Sequence, residues 1–291
     1  FYPVIIGKKE SKYVLACDPA SDVDNLSIVI LEVNKFHNRT VYCWTTNKKA
    51  HLERLQKGLT TENNYYAYCA RKIRDLYTKF PIEYIVIDSQ GGGKHIVDAI
   101  NDKDKMLEGE DFMWPIVEED VEKPTDRFAG KHIVIFINFA DADWTSSANH
   151  GLRKDIEDKT LIFPFFDPVY LAEIALQDKD GNPLYDTTED CVFEIEELKN
   201  ELCTIVQTKT PNGRDRWDTP EIKTNTGKKG RMRKDRYSAL LMANSVAREL
   251  QTKTVHTKPH VYVAGFAGDG NYRYDKNEKL YQAPDWFNSN W

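Results

Sequence analysis

Three aspartates stand where carboxylates can do chemistry. Two close apolar runs, Tyr13-Val-Leu-Ala-Cys-Asp18 and Tyr84-Ile-Val-Ile-Asp88, and the third opens Lys234-Asp235-Arg236 after a basic, glycine-containing stretch. β-branched runs of this length predict buried strands of a largely parallel sheet. An acid at the end of such a strand emerges at the sheet's rim, where α/β proteins place their sites. Asp18, Asp88 and Asp235, brought together, make an all-oxygen donor set that favours Mg²⁺ or Mn²⁺ over zinc. Two ions so held support phosphodiester hydrolysis, one activating water and the other steadying the leaving oxygen.

Each acid also has a structural reading of its own. Asp18 lies in Cys17-Asp-Pro-Ala-Ser-Asp22-Val-Asp24-Asn25, a turn-forming composition. Asp88 precedes Gly91-Gly-Gly93, which permits positive φ and lets backbone N–H groups approach a phosphate. Asp235 suits a helix N-cap. Asp22 and Asp24 read either as an additional ligand or as solvated acids, and Asp24, directly before the second strand, is the better candidate for a weaker fourth ligand. Asp141 and Asp143 read as a solvated turn.

The elements that must position these acids follow from periodicity. Strands are expected at 12–18, 27–33, 40–45, 84–88 and 112–117, with 40–45 returning from 27–33 as a hairpin. Helices are expected at 61–79, after the glycines at 91–93, over 194–206 and over 235–250. Residues 131–140 fit either helix or strand, 161–166 a short strand, and 167–192 a turn-rich excursion. Residues 1–250 form the domain on this reading. The stretch 251–291, rich in Lys, Asn, Asp, Gly and aromatics, reads as a loosely packed or partner-binding tail.

Composition narrows the function. Five scattered cysteines without a Cys-x-x-Cys pair argue against zinc and disulfides and favour a reducing cytoplasm. No apolar run nears the roughly 18 residues that cross a bilayer. The net charge of −6 does not advertise a nucleic-acid binder. Gly227 to Arg236, however, carries six positive charges around one acid. Lys228, Lys229, Arg231, Arg233 and Lys234 beside an acid cluster are suited to a phosphate backbone, contacted without reading sequence.

Asp18-Pro-Ala with Asp24, Val86-Ile-Asp88-Ser-Gln-Gly-Gly-Gly, and Leu198-x-x-Glu201-Leu followed by Lys234-Asp235-Arg236-Tyr-Ser-Ala-Leu240 together resemble the nuclease domain of the large terminase subunit. These are DNA-packaging motors of tailed bacteriophages and herpesviruses, and the resemblance spans about residues 12–250. It implies an RNase H-like α/β fold: an antiparallel three-strand meander plus parallel strands, flanked by helices, with an insertion in 101–200. It further implies a Mg²⁺- or Mn²⁺-dependent endonuclease that cuts concatemeric viral DNA. Asp18, Asp88 and Asp235 would be its catalytic, metal-binding triad and Asp24 an auxiliary ligand. The implied partners are double-stranded DNA, a packaging ATPase domain, a portal and a small terminase subunit, in the host cytoplasm or, for a herpesvirus-type source, the nucleus. No G-x4-G-K-[ST] loop occurs here, so the chain is expected to be the nuclease part alone, in keeping with its Phe start. Two other readings stay open: an actin- or sugar-kinase-like ATPase, which ATP binding would favour, and a non-catalytic RNase H-like docking module, which indifference to divalent ions would favour.

Overall fold

The computed structural model describes residues 1–19, 25–90, 92–116, 130–178, 187–223 and 229–256. Its centre is a seven-stranded sheet. β1 (Lys12–Asp18), β2 (Leu26–Val33) and β3 (Asn38–Thr46) form the expected antiparallel meander. β4 (Ile82–Asp88) pairs parallel with β1, and β6 (Lys131–Ile137) parallel with β4. The short strands β5 (Met113–Pro115) and β7 (Leu161–Ile162) form the two edges, so the order is β5-β6-β4-β1-β2-β3-β7. This is the RNase H-like mixed sheet, with helices on its faces.

The central strands read as near-continuous apolar runs because both faces are covered. Val14 to Cys17 and Ile28 to Leu31 are wholly buried. On one face Cys17 lies beside Cys69 and Tyr13 meets Phe80 edge-on, which places α2 (Tyr65–Lys79) there. The opposite face receives α7 (Asp235–His256), which packs on β1 and β2. Ala239, Ala243 and Ala247 recur at helical spacing and are fully buried, so α7 approaches the sheet closely. α6 (Thr188–Thr204) lies against β3 on a face made by Cys191, Val192, Ile195 and Leu198.

Several expectations need correcting, each for a local reason. The helix expected from 61 begins at Tyr65, because Asn64 caps it by accepting from the Tyr66 and Ala67 N–H groups. Residues 131–137 resolve as strand, paired with β4 on one side and β5 on the other. Asp141 is exposed as expected but is a helix cap rather than a turn: it accepts from Asp143 and Trp144 N–H and starts α4 (Ala142–Glu157). The excursion at 167–192 contains α5 (Pro168–Asp178) and the first turn of α6, which opens on a Thr187–Asp190 capping box. α1 (Lys48–Gln56), capped by Asn47, was not anticipated. Past His256 the expected tail lies outside the described residues. Among the described residues no helix is long and apolar enough to cross a membrane.

Candidate active site

Register brings the first two acids together. Cys17 pairs with Ile87 across the parallel β1–β4 ladder, so Asp18 and Asp88 follow side by side at the strand ends. Neighbouring strands lie about 4.8 Å apart, and laterally matched residues share a face. That face belongs to α7, which packs on β1 and whose Ser238 lowers the Asp18 carboxyl pKa. Behind Asp88 the turn requires glycine. Gly92 has φ +110°, and a Cβ on Gly93 would fall 1.8 Å from the Asp88 carbonyl oxygen. α3 (Gly93–Ile100) therefore starts tight against the strand end, and Gln90 N–H donates to Asp88 Oδ1 at 3.0 Å.

Asp235 arrives from the other side as the first residue of α7. Its Oδ2 accepts from the Asn25 backbone N–H at 3.1 Å, which ties the helix start to the beginning of β2. Burial pushes the Asp18 carboxyl well above the usual carboxylate range. The charges of Asp235 and then Asp88 push it further, while the Ser238 hydrogen bond and the Lys234 charge oppose them. Asp88 is raised by burial and pulled back by Gln90 N–H. Asp18 thus bears the repulsion in this acid group. As they stand, the described residues contain no group of three or more His, Cys, Asp or Glu closed up around a metal position. Asp24 lies outside the described residues.

The basic stretch is more structured than a loop. β8 (Val206–Lys209) pairs with β9 (Asp215–Asp218), and β10 (Glu221–Lys223) with β11 (Lys229–Arg231), giving two hairpins between α6 and α7. Lys229 and Arg231 belong to β11, while Lys228 lies outside the described residues. Arg233 Nη1 donates to Asn25 Oδ1 at 2.5 Å, and Lys234 Nζ lies 3.2 Å from Asp218 Oδ1. Arg233 therefore touches the residue whose N–H holds Asp235, while Lys234 pairs with Asp218 of β9.

No family model matches the sequence, and no curated protein matches it. Solved structures similar to this chain include large terminases and their nuclease domains. The large terminase nuclease from thermophilic phage G20c is 10% identical with a TM-score of 0.48, over 82% of this chain and 84% of that one. The large terminase nuclease domain of Thermus phage P74-26 is 11% identical with a TM-score of 0.47, over 82% of each chain. The HK97 bacteriophage large terminase is 11% identical with a TM-score of 0.48, over 84% of this chain but only 40% of its own. At such identities and overlaps, function has to be read from the side chains of this chain.

The motif read from the sequence contains Glu201 and Arg236, but the contacts they make beside Asp235 were not foreseen. Glu201 accepts from Arg236 Nη1 at 2.8 Å and from Tyr237 N–H at 2.9 Å. Glu194 accepts from Arg236 Nε at 2.7 Å and from Thr45 Oγ1 at 2.6 Å. The available signal was Glu201 itself, a carboxylate three residues after Leu198 on the buried side of α6.

Proposed function

We propose that this chain is a metal-dependent DNA endonuclease, the nuclease part of a viral genome-packaging motor, with little sequence preference. The observation that supports this most is the setting of Asp18: a half-buried carboxyl at the end of β1, next to the strand end that bears Asp88 and subject to the charges of Asp235 and Asp88. Clustered acids of this kind gain from a cation that neutralises them. The donors are hard oxygens without His or Cys, so the residues present fit Mg²⁺ or Mn²⁺.

Asp18 and Asp88 would hold the ions from the sheet and Asp235 from the helix, with Asp24 auxiliary. Two such ions, when bound, supply Lewis acidity to an attacking water and to the leaving 3′ oxygen. The chain's own part is to fix the carboxylates and to steer the DNA. Lys228, Lys229, Arg231, Arg233 and Lys234 would track phosphates without reading bases. Arg233 and Lys234 would exchange their Asn25 and Asp218 contacts for the backbone. Double-stranded DNA is the substrate on this reading, and an ATPase domain, portal and small subunit are the partners.

The test is plasmid cleavage with Mn²⁺ or Mg²⁺ beside an Asp88→Ala variant. Loss of cutting in the variant is expected. Equal cutting by both proteins would remove Asp88 from the mechanism.

A further inference from the structure

α7 begins at the acid group, and side chains of α6 hold its first turn in addition to the Asn25 backbone N–H at the start of β2. An α-helix start leaves its first N–H groups without intrahelical partners. Here the Tyr237 N–H is taken by Glu201 Oε2 at 2.9 Å, a carboxylate from another helix. Glu201 Oε1 takes Arg236 Nη1 at 2.8 Å, and Glu194 takes Arg236 Nε at 2.7 Å. Glu194 is anchored in turn by Thr45 of β3. The Arg236 and Glu201 side chains are 13% and 9% exposed, so this clamp is shielded from competing water. Burial disfavours the Arg236 cation, and the hydrogen bonds and charges of Glu194 and Glu201 outweigh that cost. The two clamped residues directly follow Asp235, whose own carboxylate is held by Asn25 N–H. Further along α7, Ala239 to Ala243 are anchored independently in the core.

We infer that Glu201 and Arg236, completed by Glu194, are positioning residues that set where the Asp235 carboxylate stands. The inference rests on the nuclease reading in taking Asp235 as a metal ligand. Losing the clamp frays the first turn of α7 and displaces Asp235, while the buried body of the helix stays in place.

The test uses the whole 291-residue chain. Mn²⁺ binding is followed by electron paramagnetic resonance, and kcat and KM on plasmid are measured at a temperature where circular dichroism shows each variant folded. Glu201→Ala is expected to weaken Mn²⁺ binding about 10–100-fold, the usual effect of removing a group that orients a ligand. kcat should fall comparably and KM for DNA should hold. Glu201→Gln, which keeps an oxygen acceptor for Tyr237 N–H, should recover most of both. Arg236→Lys cannot span the two carboxylates and should fall between them. Should Glu201→Ala not fold, Arg236→Lys against Glu201→Gln carries the same comparison. Asp235→Asn is the reference. If it loses Mn²⁺ while the folded clamp variants bind and cut like the native chain, the clamp only stabilises the fold and the inference fails alone. If Asp235→Asn binds Mn²⁺ as tightly as the native chain, the inference and the site reading fail together.

Discussion

The sheet side and the helix side of the acid group are built by different means. Asp18 and Asp88 stand where backbone register puts them, at the ends of two parallel strands whose side chains are buried almost to the last residue. Asp235 stands between one backbone donor and a set of side chains: the Asn25 N–H in front, and behind it Glu201 and Glu194, which hold the next two residues of the helix. A ladder of backbone hydrogen bonds tolerates most single substitutions, whereas a side-chain clamp fails with one. The sheet should therefore supply a fixed platform, and the helix the more easily adjusted third carboxylate.

The largest expected effect strikes the platform at the glycine turn behind Asp88. Gly93→Ala forces a Cβ onto the Asp88 carbonyl, 1.8 Å away, and should cost about 3 kcal/mol in denaturant unfolding, the upper end for an overpacked site. A loss well under 1 kcal/mol would mean that the platform yields, and the contrast with the helix side would weaken.

Next comes the repulsion that Asp18 carries. Its folded-state pKa is raised, so its favourable contribution is present below the unfolded carboxylate value and is lost as pH rises through the folded value. Without divalent ions, Asp18→Asn should stabilise the protein at neutral pH by about 1–3 kcal/mol. That gain should shrink as pH falls through the folded-state pKa. A pH-independent difference in melting temperature would remove ionisation from the explanation.

On the helix side, Tyr237→Phe removes the hydroxyl that donates to Asn149 Oδ1 in α4. An acceptor left buried predicts a loss of about 1–2 kcal/mol, read from the denaturation midpoint at unchanged slope. The smallest effect belongs to Lys234→Gln. If Lys234 meets one phosphate, the plot of log affinity against log salt should become shallower by about 0.9. An unchanged slope would confine Lys234 to contacts within the chain, Asp218 among them.

The same division explains what was legible in the sequence. Strand ends bearing Asp18 and Asp88 could be read because apolar runs and glycines are local signals of period and turn. The core of α7 could be read from its alanines and leucines. The clamp could not, since Glu194, Glu201 and Arg236 meet only after α6 and α7 pack across separations of 35 and 42 residues. The hairpins at 206–209 with 215–218 and 221–223 with 229–231 were missed for a related reason. They are short and polar, and β8 is exposed along its whole length, so no apolar alternation marks them. Asp141 shows the converse error: an acid judged by its polar neighbours proved to be a helix cap.

The central claim is that Asp18, Asp88 and Asp235 converge to hold divalent ions. Crystals of the chain soaked in Mn²⁺ and measured at a wavelength giving anomalous signal test it directly. The account predicts anomalous peaks bounded by these three carboxylates. Peaks confined to other acids, or their absence at saturating Mn²⁺, would contradict it.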